Sequence, residues 1–290
     1  MKDKIVLITG ATSGIGKQTA LTLAKMGAHV IITGRSIQSG EAAVAEIKQS
    51  SGNPKVDLLI SDLSAQGDVR SLADQFKVKY ERLNVLINNA GNAAPARILT
   101  ADGVESNFAV NVVAPFLLTH LLMDPLKTSP SARVITLMGG DVPSKLDLDN
   151  LQSKRSFDGL NSYSQSKLAM MAMMYEFAER MQGTTVTINI CYPGQASTNM
   201  TRNVTPEMLP AVMRFIFPVF KLMTRPDGGK SAEKASRSSV HLASSKDVEG
   251  VNGKYFDTKS KMVNFPAVVM AAPTREKVWE AVKQVSHFVG

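Results

Sequence analysis

The amino-acid sequence predicts an α/β fold, a doubly wound parallel sheet of the Rossmann type. Three observations predict it. Short apolar runs typical of strands recur along the chain, helical patterns lie between them, and a glycine-rich turn follows the first run. The first runs are apolar throughout, which indicates strands that are buried on both faces of the sheet.

Six runs are predicted strands, at 5–9, 29–33, 56–60, 85–88, 134–137 and 186–192. A helix is predicted over 15–26, where apolar residues recur at helical spacing and Gly27 stands at the stop position. A second helix is predicted over 39–50 from one apolar face. Near the C-terminus, Trp279 lies in a further helical pattern of valines.

One domain, 1–290, is predicted, because no change of composition marks a linker up to about residue 198. From 201 to 229 the sequence becomes rich in proline, methionine and phenylalanine. We interpret about 200–228 as a small lobe that covers the substrate, since Met and Phe suit adaptable apolar binding surfaces. Packing of its apolar face into the core is the alternative.

The composition excludes several classes of protein. With 44% hydrophobic and 20% charged residues, the chain is neither disordered nor collagen-like. The single cysteine, Cys191, excludes a disulfide framework and a cysteine-based zinc cluster, and it indicates a reducing compartment. The four histidines have no metal-ligand spacing, so no metal is expected.

The net charge of +8 would suit nucleic acid, an anionic membrane or an anionic ligand. No basic run with interleaved aromatic residues is present, so no nucleic-acid partner is expected. The apolar run 5–8 is too short for a signal peptide, and no window approaches the roughly 18 apolar residues of a spanning helix. We therefore expect a cytoplasmic protein without stable membrane insertion.

A phosphate-binding turn is predicted between the first strand and the first helix, with the sequence Thr9-Gly10-Ala11-Thr12-Ser13-Gly14-Ile15-Gly16. Glycines allow a tight turn and a close approach to phosphate, and the start of a helix attracts anions. A glycine turn without a ligand is the alternative. The strand–turn–helix context favours dinucleotide binding.

Arg35 follows the second predicted strand, where a dinucleotide fold meets the adenosine ribose. An acidic residue there would bind the 2′-hydroxyl of NAD, whereas an arginine accommodates the 2′-phosphate of NADP. Lys17 adds a second cation after the glycine turn. The sequence thus favours NADP(H), with a solvated surface charge as the alternative role of Arg35.

These residues resemble the short-chain dehydrogenase/reductase family. The glycine turn, Asp62-Leu63, Asn88-Asn89-Ala90-Gly91, Asn111, Tyr163-x-x-x-Lys167 and Pro193-Gly194 with Thr198 follow the order of that family's motifs. The segments 149–152 and 250–257 further resemble its retinol-dehydrogenase-like branch, which commonly uses NADP(H) and apolar alcohols or carbonyls. Family members often form dimers or tetramers through two long helices, here 102–123 and 161–182.

The resemblance implies catalytic roles for Tyr163, Lys167 and Asn111. Tyr163 would exchange a proton with the substrate oxygen, and the ammonium of Lys167 would lower the tyrosine's pKa and hold the nicotinamide ribose. Asn111 would hold a water that links Lys167 to solvent. The implied cofactor-binding residues are Gly10, Ser13, Gly14, Ile15, Gly16, Arg35, Asp62, Leu63, Asn89, Gly91, Tyr163, Lys167, Pro193, Gly194 and Thr198.

The sequence departs from the family at the end of the fifth strand, where Gly139 stands at the position of the usual catalytic serine. Loss of such a donor can cost about 100- to 1000-fold in turnover. Another donor such as Ser144 or Thr136 would replace the serine, or the substrate would need none. Otherwise the protein binds the dinucleotide without efficient redox chemistry.

Two functions therefore remain open. The first is an NADP(H)-dependent oxidoreductase that reduces a carbonyl or conjugated double bond, or oxidises an alcohol, of an apolar small molecule. The second is a dinucleotide-binding protein with weak, non-redox or rearrangement and cyclisation activity.

Overall fold

The computed structural model describes residues 1–140, 143–194, 196, 202, 204–208, 215, 217–218, 222, 225 and 227–288. Its strands are β1 (Ile5–Ile8), β2 (His29–Gly34), β3 (Val56–Ile60), β4 (Val85–Asn88), β5 (Ala132–Leu137), β6 (Val186–Cys191), β7 (Tyr255–Phe256) and β8 (Met262–Val263). They form one sheet in the order β3-β2-β1-β4-β5-β6-β7-β8. All neighbouring strands are parallel except β7 and β8, which are antiparallel.

The helices described are α1 (Gly14–Lys25), α2 (Ile37–Ser51), α3 (Gln66–Lys79), α4 (Ser106–Phe108), α5 (Ala114–Leu121), α6 (Met123–Lys127), α7 (Gly159–Arg180), α8 (Lys230–Ser244), α9 (Ala267–Met270) and α10 (Ala272–Ser286). A π-helical turn, Ala109–Val113, joins α4 to α5. None of the helices in these described ranges is long and apolar enough to cross a membrane.

Two apolar layers cover the sheet. Side chains of α1, α2 and α8 pack with alternate strand residues such as Val6 and Ile32 on one face. Side chains of α3, α5, α7 and α10 pack with residues such as Leu7 and Ile31 on the other. Because successive strand residues face opposite layers, the central strands must be apolar at every position, as their sequences are.

The predicted doubly wound parallel sheet is confirmed. Strand ends differ from the prediction by one or two residues, and β5 begins at Ala132 rather than at 134. The two-residue strands β7 and β8 were not predicted, since they are too short for a periodic pattern. Most of the predicted lobe at 200–228 lies outside the described residues.

The C-terminal helix α10 lies across α5 and α7. The Trp279 ring packs against Phe116 and Phe177, with centroid distances of 5.0 and 5.4 Å. Arg275 forms an ion pair with Glu176 of α7, at 3.2 Å. This helix therefore contacts both of the helices expected to mediate assembly, 102–123 and 161–182.

Candidate functional site

The predicted site residues meet at the carboxyl edge of the sheet. The strand β1 lies between β2 and β4, so the connections from β1 and β4 run in opposite directions along the sheet. Such a switch point leaves a crevice beyond the carboxyl ends of the strands. The glycine turn after β1 and the loops after β4, β5 and β6 all begin at this edge.

The glycine turn needs its glycines. Gly10 and Gly14 have φ values of +62° and +55°, in the left-handed region that glycine adopts without strain. A Cβ on Gly16 would overlap Asn89 Nδ2 and lie 2.8 Å from the Gly10 carbonyl oxygen. Ser13 is the N-cap residue of α1 and Ile15 lies in its first turn, so the start of this helix adjoins the turn.

Asn89 binds the turn to the end of β4. Its Nδ2 donates to the carbonyl oxygens of Thr9 and Gly10, at 2.8 and 3.0 Å. The Thr9 hydroxyl oxygen accepts hydrogen bonds from the backbone N–H groups of Asn89 and Ala90, both at 3.1 Å. These hydrogen bonds hold the backbone of the glycine turn against the end of β4.

The two cations predicted near the adenosine end have different surroundings. Arg35 is exposed directly after β2. Lys17 forms an ion pair with Glu46 of α2, with its Nζ 2.8 Å from both carboxylate oxygens. The expectation that Lys17 adds a second cation for the cofactor is therefore weakened, because Glu46 already offsets its charge.

Asp62 and Leu63 follow β3 in a short turn. The Asp62 Oδ1 accepts from the backbone N–H and the hydroxyl of Ser64, at 3.0 and 2.8 Å. Leu63 packs against the core and also lines a small internal cavity together with Asn111 and Lys167. Both residues lie at the same sheet edge as the glycine turn.

Asn111 lies within the π-helical turn, where its side chain makes three hydrogen bonds, two with Asn92 and one with Ser166. The Nδ2 donates to Asn92 O at 2.8 Å and to Ser166 Oγ at 2.9 Å, and the Oδ1 accepts from the Asn92 backbone N–H at 2.8 Å. Ser166 in turn donates its hydroxyl to Tyr163 O at 2.7 Å. Asn111 is thus connected to the helix that carries Tyr163.

Lys167 is buried, with 4% of its surface exposed, and its Nζ donates to Leu137 O at 3.0 Å. Desolvation by burial lowers the pKa of Lys167 to about 8. A Cβ on Gly91 would lie 3.6 Å from this Nζ and 3.5 Å from Asn111 Oδ1. Glycine at 91 therefore leaves space beside both polar groups.

The phenol of Tyr163 lies against two glycines. A Cβ on Gly139 would overlap Tyr163 Oη, and a Cβ on Gly140 would lie 2.8 Å from the ring carbon Cε1. The ring hydroxyl thus fills the space beside β5 where a side chain at 139 would begin.

Burial raises the pKa of Tyr163 above its usual value, and nearby Tyr192 adds to the rise. Desolvation thus acts against the lowering of this pKa that the sequence predicts from Lys167. With its pKa raised above the usual 10, the phenol of Tyr163 is protonated at neutral pH.

The last predicted residues follow β6. Pro193 and Gly194 extend from the strand, and Gly194 has a φ of +82°, with a Cβ at this position only 2.9 Å from Thr258 Cγ2. Thr198 lies outside the described residues. Tyr192, at the end of β6, was missed as a site residue, although an aromatic residue directly before Pro193-Gly194 was a usable signal.

The two hydroxyls proposed to replace the missing serine, those of Thr136 and Ser144, have different surroundings. Thr136 is buried and accepts a hydrogen bond from Asn88 Nδ2 at 3.3 Å. It lines the internal cavity beside Lys167. Ser144 is exposed on the loop after β5.

The arrangement fits a dinucleotide. The Gly16 position has no room for a Cβ, the turn places the first N–H groups of α1 at the switch point, and buried Lys167 with Asn111 lies at the far side of the same crevice. Residues of the turn would hold the pyrophosphate of the dinucleotide, and Lys167 and Tyr163 would lie beside its nicotinamide end.

Comparisons with known proteins agree with this geometry. Residues 4–209 match the family model described as short chain dehydrogenase. The chain is 37% identical over 278 residues to retinol dehydrogenase 12 of Mus musculus, covering 95% of this chain and 84% of that protein. It is 35% identical over 274 residues to polyprenol dehydrogenase of Homo sapiens, covering 91% and 80%.

Among solved structures, an uncharacterized protein from Mycobacterium paratuberculosis superposes with a TM-score of 0.76 at 25% sequence identity. The match covers 99% of this chain and 94% of that one.

Proposed function

This chain belongs to the short-chain dehydrogenase/reductase family, in its retinol-dehydrogenase-like branch, and from that premise we propose an NADP(H)-dependent oxidoreductase for apolar small molecules. The enzyme reduces a carbonyl or a conjugated double bond, or oxidises an alcohol. Because it belongs to this family, the chain is an oxidoreductase that uses a nicotinamide dinucleotide. The choice of NADP(H) over NAD(H), the substrate class and the roles of the residues are our proposal.

The observation that carries the proposal is the meeting of Tyr163, Lys167 and Asn111 beside the glycine turn. Tyr163 and Lys167 lie one helical turn apart on α7, and Asn111 is linked to the same turn of α7 through Ser166. Two elements distant in sequence, α7 and the π-helical turn, thus place a phenol, an ammonium and an amide at one edge of the sheet.

The residues of this chain perform the proton chemistry. In the reductive direction the protonated Tyr163 Oη donates its proton to the substrate oxygen, and Lys167 stabilises the resulting phenolate. Asn111 holds the π-helical turn and, through Ser166, the carbonyl of Tyr163 in place. The nicotinamide, when bound, supplies or accepts the hydride.

Arg35 supports NADP(H). It is exposed directly after β2, and neither Gly34 nor Ser36 beside it is acidic. Its guanidinium is therefore available for a 2′-phosphate, which carries the additional charge that distinguishes NADP from NAD.

The apolar substrate class rests on two observations. The relatives in the comparison carry the names retinol dehydrogenase and polyprenol dehydrogenase, and both named alcohols are apolar. In the lobe, the described residues Phe215 and Leu222 expose 80% and 56% of their surfaces. Such residues suit a cover for an apolar molecule. We also propose one domain over 1–290 and a cytoplasmic location.

The test is oxidation of NADPH, followed at 340 nm, over a panel of apolar ketones and enones. Wild-type protein should consume NADPH with at least one of them, and Tyr163→Phe should abolish turnover while NADPH still binds. Tyr175→Phe is the matched control, because Tyr175 lies on the same helix and packs on Phe265 instead. A Tyr163→Phe variant as active as wild type would refute the assigned proton donor.

A second candidate function is dinucleotide binding with non-redox or rearrangement chemistry, which Gly139 favours because it supplies no hydroxyl. Tight NADPH binding without reduction of any panel member, together with isomerised or cyclised product detected by mass spectrometry and chromatography, would support this candidate instead.

A further inference from the structure

Tyr192, directly after β6, carries a hydroxyl, whereas Gly139, after the neighbouring strand β5, does not. Leu137 of β5 pairs with Cys191 of β6, and the backbone N–H of Met138 donates to Cys191 O at 2.8 Å. Tyr192 therefore stands in the next register position, directly beside the Met138-Gly139-Gly140 segment. Its backbone N–H donates to Phe256 O at 2.8 Å, which fixes its place between β5 and β7.

Alternation along β6 assigns the Tyr192 ring to the face covered by α7. Cys191 packs in the apolar layer of α1 and α8, whereas Ile190 packs in the layer of α7. Tyr192 packs against this second layer, as the two-residue period of a strand requires. The rings of Tyr163 and Tyr192 thus lie on the same side of the sheet at the same edge.

The pKa of Tyr163 supports this placement. It is raised first by burial and then by a coulombic interaction with Tyr192. A phenol that acts electrostatically on Tyr163 lies close to it. Tyr192 itself is half-buried, so that a ligand in the crevice is able to reach it.

The other described hydroxyl near the glycine pair is less well placed. Ser164 Oγ would lie 3.4 Å from a Cβ on Gly140, beside the ring carbons Cδ1 and Cε1 of Tyr163. The Tyr163 hydroxyl, by contrast, points at Gly139. Ser164 is therefore beside Gly140, whereas the oxygen that exchanges the proton is beside Gly139.

We propose that the hydroxyl of Tyr192 binds the substrate oxygen, in the role that a serine at position 139 would have. This proposal rests on the proposed function and restricts it to substrates with a carbonyl or hydroxyl oxygen at the reacting centre. Two phenols then meet one oxygen: Tyr163 transfers a proton, and Tyr192 donates a hydrogen bond that strengthens as negative charge develops.

The first measurement uses binding alone. Calorimetric titration of the protein saturated with NADP⁺ compares 4-phenyl-2-butanone with butylbenzene, which has similar shape and lacks the oxygen. Wild type should bind the ketone more tightly, and Tyr192→Phe should weaken only the ketone, by about tenfold, as expected for a lost hydrogen bond. Ketone binding unaffected by Tyr192→Phe, or wild-type binding that does not distinguish the two ligands, would overturn the proposal.

The second measurement uses turnover of a carbonyl substrate identified in the ketone and enone panel. Tyr192→Phe should lower kcat by about 100-fold, the usual effect of a missing oxyanion donor, with NADPH affinity unchanged. Tyr192→His, which retains a donor, should recover part of the loss, and Tyr175→Phe should have no effect. If Ser164→Ala loses kcat and Tyr192→Phe does not, the proposal is wrong.

The two proposals fail differently. If no carbonyl is reduced by wild type but Tyr192 still governs ketone binding, the proposed redox function fails and the oxygen-binding role stands. If wild type reduces ketones and Tyr192→Phe matches it in both assays, the redox function stands and the role of Tyr192 is refuted.

Discussion

The hydroxyl oxygen of Tyr163 occupies the space where the Cβ of any residue other than glycine at position 139 would lie. The phenol therefore depends on Gly139 for its present position. Gly139 supplies no hydroxyl to the site, but because it has no side chain it leaves room for the hydroxyl of Tyr163.

From this contact we expect Gly139→Ser to lower the rate. The new Cβ would force Tyr163 Oη away from its position, and displacement of a proton donor by 1 Å can cost about 100-fold. Steady-state oxidation of NADPH measures the effect, with Gly67→Ser as the control because a Cβ at Gly67 meets nothing within 4 Å. An increase in rate would instead mean that the serine restores a missing donor and that Tyr163 adapts to it.

Lys167 should make the stability of the cofactor-free protein depend on pH. Burial lowers its pKa to about 8 from the usual 10.5. Between these values the unfolded chain binds more protons than the folded one, so the free energy of unfolding gains a term that rises with pH. Below pH 8 the penalty for burying the charge is present in full.

Lys167→Met removes this term. We expect the variant to be more stable than wild type at pH 7, with the difference shrinking from pH 8 to pH 10. Urea unfolding at several pH values measures it, and Lys127→Met, at an exposed position on α6, is the control. A constant difference between Lys167→Met and wild type across that range would exclude a depressed lysine pKa.

Arg35→Asp should exchange the cofactor preference. Loss of a charge-assisted contact with the 2′-phosphate costs about 1.5–3 kcal/mol, or roughly tenfold to 100-fold in NADPH affinity. The new carboxylate should at the same time improve NADH binding. Fluorescence titration with both cofactors measures the change, and Arg237→Asp, exposed on α8, should leave the ratio of affinities unaltered. Equal ratios in wild type and Arg35→Asp would reject the phosphate role.

Trp279 should be a major contributor to stability. It is 4% exposed and contacts Phe116, Phe177 and the guanidinium of Arg180, which lies 4.3 Å from its ring. Trp279→Ala should lower the free energy of unfolding by about 3–5 kcal/mol, measured by circular dichroism in urea. Glu276→Ala, exposed on the same helix, should change it little. A small effect of Trp279→Ala would indicate that α10 is not firmly packed on α7.

The sheet was predictable because its strands are buried on both faces and therefore apolar without interruption. The glycine turn was predictable because the strand–turn–helix sequence restricts its conformation. The break of the predicted helix 102–123 by a π-helical turn was not, since the extra residue of Ala109–Val113 is retained by tertiary hydrogen bonds of Asn111.

Contacts between distant side chains also escaped prediction. The pairing of Lys17 with Glu46 depends on the packing of α1 against α2. The contact of Tyr163 with Gly139 depends on where α7 crosses the end of β5. The place of Tyr192 follows from the register of β5 with β6, which no local pattern contains.

The packing of α10 on α5 and α7 has a consequence for synthesis on the ribosome. The residues of α10, Ala272–Ser286, follow every strand of the sheet in chain order. They pack against aromatic side chains from the middle of the sequence, Phe116 and Phe177. Until they emerge, an already folded sheet would expose Phe116, His120 and Phe177 to solvent. The nascent chain thus exposes this aromatic surface late in its translation, and shielding by a chaperone would be of most use in that interval.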